Sequence, residues 1–188
     1  MSEEVVLYEN RDPGIALITL NRPDRLNAWN GELAVRYFAL LDEATNDPAV
    51  KVIVITGAGR GFCAGADMDA LQVVSDRGDG ASATAGRRGP HETTLIPKPV
   101  IAAINGAAAG VGLVMALMCD IRFAATNAKL TTAFSRRGLV AEYGISWILP
   151  RLVGMGNAID LLYSGRVILG EEAARMGMVN EAMRKELV

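Results

Sequence analysis

Two stretches decide how this chain is read: GFCAGADM (Gly61 to Met68) and INGAAAGVGL (Ile104 to Leu113). Each comes after a short apolar run with the length of a buried strand. Small residues let backbone approach a ligand closely, and a turn that opens a helix points free N–H groups outward with the helix dipole behind them. Two such turns can share one anion. The same residues also suit tight packing of helix on strand, and taken singly neither stretch separates the two readings.

Upstream of the first turn, Val5 to Tyr8 and Ile15 to Leu20 read as a hairpin turned at Asp12-Pro13-Gly14, with Asn21-Arg22-Pro23 ending the second strand. Asn30 can cap the next helix, which carries Leu33, Tyr37, Leu40, Leu41 and Ala44 on one face and stops near Asn46-Asp47-Pro48. Val52 to Ile55 then reads as a fully buried strand. From Asp76 to Gly89 the chain is rich in Gly, Ser, Ala and Arg, which suits a mobile surface loop, closed by Pro97-Lys98-Pro99. A second cycle follows: strand Val100 to Ile104, helix Gly110 to Met118, strand Ile121 to Ala124, then short helices over Trp147 to Leu152 and Ala158 to Tyr163. Strands recur between helices, so the predicted class is α/β.

The chain has 188 residues, 51% of them hydrophobic, enough for one domain with a real core spanning 1–188. A net charge of -2 from 19 basic and 21 acidic residues gives no general attraction to nucleic acid, although the pairs Arg87-Arg88 and Arg136-Arg137 suit phosphate as well as solvent. The two cysteines, Cys63 and Cys119, lie in apolar surroundings, and MSEEVV lacks the features of a signal peptide, so a cytoplasmic location is expected. Val100 to Cys119 carries no charge and reaches membrane-spanning length. The Asn105-Gly106 turn signal in its middle predicts a buried strand and a buried helix instead, with no membrane span.

Several site types fail on the residues. Gly57-Ala58-Gly59-Arg60-Gly61 has Phe62 where a dinucleotide-binding loop needs its third glycine, and no Gly-x-x-x-x-Gly-Lys loop occurs. His91 is the sole histidine and no cysteine pair has metal-ligand spacing, so no metal site is predicted. Gly144-Ile145-Ser146-Trp147-Ile148 lacks the second glycine of a nucleophile elbow.

Together and in order, the two glycine-rich stretches resemble the signature of the crotonase (enoyl-CoA hydratase/isomerase) superfamily. Supporting similarity runs along nearly the whole chain, through LNRPDRLNAWN (Leu20 to Asn30), KPVIAAING (Lys98 to Gly106), MCDIRFAAT (Met118 to Thr126), LPRLVGMGNAIDLLYSGR (Leu149 to Arg166) and EEAARMGMVN (Glu171 to Asn180). The resemblance implies a spiral of repeated ββα units and an acyl-CoA thioester substrate. Coenzyme A would then be part of the substrate, with no separate cofactor. It further implies that the backbone N–H groups of Ala66 and Val111 form an oxyanion hole, with Gly110 beside them. Arg25, Ala28 and the turn of Ala64, Gly65, Asp67 and Met68 would surround coenzyme A; Arg25 suits a solvated surface position equally well. Family members form trimers and hexamers and continue through further helices. The same assembly is expected here, with the C-terminal helical segment lacking.

Hydratases of the family use two glutamates, and this chain has Val114 and Phe134 at the corresponding positions. Glu142, within GLVAEYGISW (Gly138 to Trp147), stands where several Δ3,Δ2-enoyl-CoA isomerases carry a single catalytic carboxylate. Moving a double bond needs one base that takes a proton from one carbon and returns it to another. Val140, Tyr143, Ile145 and Trp147 make an apolar neighbourhood, so burial of Glu142 is expected. Three alternatives stay open: an ordinary hydratase, a hydrolase or dehalogenase pairing His91 with Glu142, and a non-catalytic acyl-CoA-binding protein.

Overall fold

The computed structural model describes residues 4–11, 13–67 and 88–188. Asp12 of the hairpin turn, Met68 of the first glycine-rich turn and residues 76–87 of the expected loop lie outside them.

The hairpin forms as the alternation predicts: β1 (Val6–Arg11) pairs antiparallel with β2 (Ile15–Leu20), and Ala16, Ile18 and Leu20 point into the core. The side chain of Asn30 accepts the Leu33 N–H and so starts α1 (Gly31–Asn46), whose Leu33, Tyr37, Leu40, Leu41 and Ala44 are all buried. The apolar runs at β3 (Val52–Gly57), β5 (Val100–Ile104) and β7 (Ile121–Ala125) extend the sheet in parallel, and β10 (Glu181–Met183) closes the order β1-β2-β3-β5-β7-β10. Parallel pairing through the middle of the sheet suits these apolar runs, but Val52 to Ile55 is not the fully buried strand expected: Ile53 and Ile55 face the core, while Val52 and Val54, on the opposite face of the sheet, are only half-buried.

A second sheet was not foreseen. It consists of β4 (Gly61–Cys63), β6 (Ala107–Ala109), β8 (Lys129–Thr131) and β9 (Ile168–Leu169), in that order. Three-residue strands carry too little pattern to be read locally. With it, the chain becomes a spiral in which β3/β4, β5/β6 and β7/β8 each place one strand in each sheet. The uncharged run from Val100 is thereby divided among β5, β6 and α2 (Val111–Leu117), and no helix among the described residues is long and apolar enough to cross a membrane. The two short helices expected after Gly144 both form and meet at a kink at Gly154, whose φ of 77° and ψ of 158° are not helical; together they are α3 (Ile145–Ser164). A six-residue helix, α4 (Gly170–Arg175), precedes β10.

Buried asparagines tie the loops above the strands. Asn27, at 0% exposure and φ 57°, accepts the Arg22 N–H at 2.8 Å and donates to Ala58 O at 3.0 Å and Gly61 O at 2.8 Å. Asn105 accepts the Gly57 N–H and donates to Gly57 O and Gly59 O. Removing the Asn27 amide takes their partner from the half-buried Arg22 N–H and Ala58 O and the buried Gly61 O, in a backbone conformation that alanine adopts poorly. Asn27→Ala is therefore expected to destabilise the protein by about 3–5 kcal/mol. Urea titration with an unchanged slope checks this, and a loss below about 1 kcal/mol would show the clamp to be dispensable.

Candidate active site

The first glycine-rich turn is held on one side by the segment Leu26–Trp29. The Ala64 N–H donates to Leu26 O at 3.0 Å, the Trp29 N–H to Gly65 O at 2.7 Å, and the Asp67 N–H to Trp29 O at 2.9 Å, so that Trp29 and Ala66 form a parallel bridge. In a parallel bridge both backbone groups of one residue point at its partner, while the partner's own N–H and C=O point the other way. Trp29 uses both groups, so the Ala66 N–H is turned away from Trp29. On that far side runs β6, which pairs in parallel with β4 and leads directly into the second turn. Among the described residues, the Ala66 N–H has no backbone acceptor.

The second turn comes to meet the first. Gly110 donates its N–H to Thr131 O at 3.1 Å and, at φ 49° and ψ -122°, reverses the chain into α2 with Val111 as the first helical residue. The first N–H groups of a helix have no acceptor within it. Two close approaches lock this arrangement: a Cβ on Gly65 (φ 104°) would stand 3.1 Å from Ala109 O, and one on Gly112 would collide with Cys63 O. Tight packing and an open pair of N–H groups are thus the same construction. Cys63 beneath the turn is no nucleophile at neutral pH, since burial pushes its thiol up to about 11 against the opposing pull of the Gly65 and Trp29 N–H groups.

Ala64 is half-buried while Gly65 and Asp67 are buried. Ala28 is half-buried, and its carbonyl accepts from Arg22 at 2.6 Å. Arg25 is exposed at the end of a short 3-10 turn, Pro23–Arg25. Val114 is fully buried, and Phe134, 5% exposed, is buried as well; neither carries an ionisable group.

Glu142 departs from expectation. It is exposed, in the turn that precedes α3, with Val140 76% and Trp147 60% exposed nearby. The cause is helical phase: Ile145, Leu149 and Val153 recur every four residues on the core side, so Trp147, two residues after Ile145, points outward. The following Tyr143 is half-buried with φ 54°, and burial first and the Glu142 charge second push its hydroxyl pKa up. Its ring stacks on His91 at 6.2 Å between centroids and 20° between planes, over Gly89, where a Cβ would stand 2.8 Å from the His91 ring. Glu142 thus stands next in the chain to an aromatic pair of which the exposed His91 is the other member. This group and the two turns lie along α2, since Val111 opens that helix and Met118, just past its end, reaches within 3.4 Å of where a Gly144 Cβ would be.

Sequence reasoning passed over Arg22, Asn27, Trp29 and Tyr143. Arg22, Asn27 and Trp29 lie within the quoted LNRPDRLNAWN stretch, but Asp67, Ala58 and Ala66, which they engage, are 31 or more residues away. Leu26, Asn27, Ala133 and Tyr143 have left-handed backbone, and the first two lie within that same stretch.

A family model described as enoyl-CoA hydratase/isomerase matches residues 10–188. The 1,2-epoxyphenylacetyl-CoA isomerase of Escherichia coli (strain K12) is 37% identical over 93% of this chain and 68% of that protein. A crystal structure of an enoyl-CoA hydratase from Mycobacterium marinum superposes with a TM-score of 0.82 at 52% identity, covering 98% of this chain and 82% of that one. A monofunctional enoyl-CoA isomerase from M. smegmatis superposes at 0.79 with 38% identity, covering 97% and 78%. The ββα spiral is the crotonase fold these structures share, and by sequence and by backbone this chain belongs to the enoyl-CoA hydratase/isomerase family.

Proposed function

We propose that this chain stabilises the enolate of an acyl-CoA thioester between the N–H groups of Ala66 and Val111, and that its reaction is the isomerisation of 3-enoyl-CoA to 2-enoyl-CoA with Glu142 as the single acid and base. The observation that carries the reading is the Trp29–Ala66 bridge, which turns the Ala66 N–H toward the strand leading into Val111. Removing a proton from C2 of a 3-enoyl thioester moves charge onto the carbonyl oxygen. Two fixed donors there cost no reorganisation as that charge develops. The proton then returns at C4, the double bond settles between C2 and C3, and no water is consumed. Buried Val114 and Phe134 at the positions of the hydratase glutamates favour this over hydration.

Relatives carry both hydratase and isomerase names, so the experiment must separate the two. The protein is incubated separately with 2-enoyl-CoA and 3-enoyl-CoA, and product mass and double-bond position are followed. A moved double bond at constant mass is expected from 3-enoyl-CoA; rapid gain of a water by 2-enoyl-CoA would make the enzyme a hydratase. The stacking of His91 on Tyr143 beside Glu142 favours a second reading, hydrolysis or dehalogenation of an acyl-CoA. Release of free coenzyme A or halide would select it.

A further inference from the structure

We infer that the largely buried ion pair Arg22–Asp67 is a positioning device that sets the direction of the Ala66 N–H; this rests on the oxyanion reading above. The Arg22 guanidinium spans the two segments that form the bridge. One nitrogen donates to Ala28 O at 2.6 Å, on the holding segment, and the other to Asp67 Oδ2 at 2.8 Å, on the turn itself. The pair therefore closes a loop around the Trp29–Ala66 bridge, one residue beyond Ala66 on one strand and one residue before Trp29 on the other. The side chains are 18% and 10% exposed.

A buried ion pair is a poor source of stability, because desolvation offsets most of the attraction, and its best-attested use is to fix register. Here register decides chemistry: a slip of one residue along the bridge would point the Ala66 N–H at Trp29 instead of into the space beside Val111. The holding segment also needs fixing. Leu26 and Asn27 are consecutive left-handed residues, a backbone state that persists only when its surroundings enforce it. A planar guanidinium reaches both acceptors with a fixed angle between them, which an ammonium on a flexible stem does not. Asp67 thus acts through the backbone and need not touch the thioester.

The test uses the whole chain with butyryl-CoA carrying a 13C-labelled thioester carbonyl, a saturated ligand that reports polarisation by its infrared stretch without reacting. Binding to the wild type should lower the carbonyl frequency. In Arg22→Lys and Asp67→Asn the band should move back toward that of free ligand. In the same variants kcat on the enoyl-CoA that the wild type turns over should fall about 10- to 100-fold, with KM changed less than about 3-fold. Both variants keep the side-chain volume, so melting temperature checks that they remain folded; Arg22→Met is the more severe companion. A wild-type band shift retained in both variants overturns the positioning role and leaves the oxyanion reading standing, whether or not kcat falls. No band shift in the wild type removes the oxyanion reading and this inference with it.

Discussion

Val111→Pro is expected to lower turnover by ~100-fold or more while the protein stays folded, because one preorganised oxyanion donor is typically worth a factor of 10² to 10³. The position makes the test clean. Val111 is the first residue of α2, where the N–H has no helical acceptor and proline's fixed φ already suits the helix, so among the described residues the substitution deletes one donor without deleting a backbone hydrogen bond of the fold. The Val111 side chain is 6% exposed, so some packing is lost with it. Val111→Ala controls for that loss, since it trims the side chain and keeps the N–H. The expected pattern is a large fall in kcat/KM for proline and a small one for alanine, measured beside circular dichroism. Equal activities in a folded Val111→Pro variant and the wild type would remove Val111 from the mechanism.

Glu142→Gln is expected to reduce isomerisation by ~10²- to 10⁴-fold, the range for loss of a positioned acid–base group, with acyl-CoA affinity nearly unchanged. Glutamine keeps the length and hydrogen-bonding ends of the side chain but cannot take the C2 proton. The carboxylate stands in a tight turn held by the Ile145 N–H on Glu142 O at 3.2 Å, with the left-handed Tyr143 next to it. It is the acid that the isomerase resemblance selects, and its charge is felt by the Tyr143 hydroxyl. Single-turnover measurement of double-bond migration separates the chemical step from product release. Full isomerase activity in Glu142→Gln would end the single-acid mechanism; His91→Gln, which alters the ring stacked on Tyr143, then becomes the decisive variant.

The two results bear on different parts of the construction. Backbone donors depend on where strands and turns run, which is why residues as plain as Ala66 and Val111 can be chosen for them. A base depends on what a side chain is and on what surrounds it. That difference explains where reading the sequence succeeded and where it failed. The surroundings of Glu142 were inferred from neighbours in the chain, yet whether Val140 and Trp147 shield it depends on the phase of α3 against the core, and they point outward.

By itself the sequence determined the large elements: the hairpin β1–β2, the amphipathic α1 with its Asn30 cap, the apolar strands β3, β5 and β7, and the two glycine-rich turns in family order. These follow from periodicity, capping and small-residue spacing, which act within about ten residues and so remain visible locally. Only the tertiary structure decided the second sheet, the Trp29–Ala66 bridge, the clamps at Asn27 and Asn105, the Arg22–Asp67 pair and the His91–Tyr143 stack. Each joins groups far apart in the chain, and a three-residue strand such as β4 or β6 gains its hydrogen bonds only when the spiral brings its neighbour alongside. A buried polar side chain such as Asn27 is tolerable only once its partners arrive to pair with it, so nothing in its own neighbourhood can announce it.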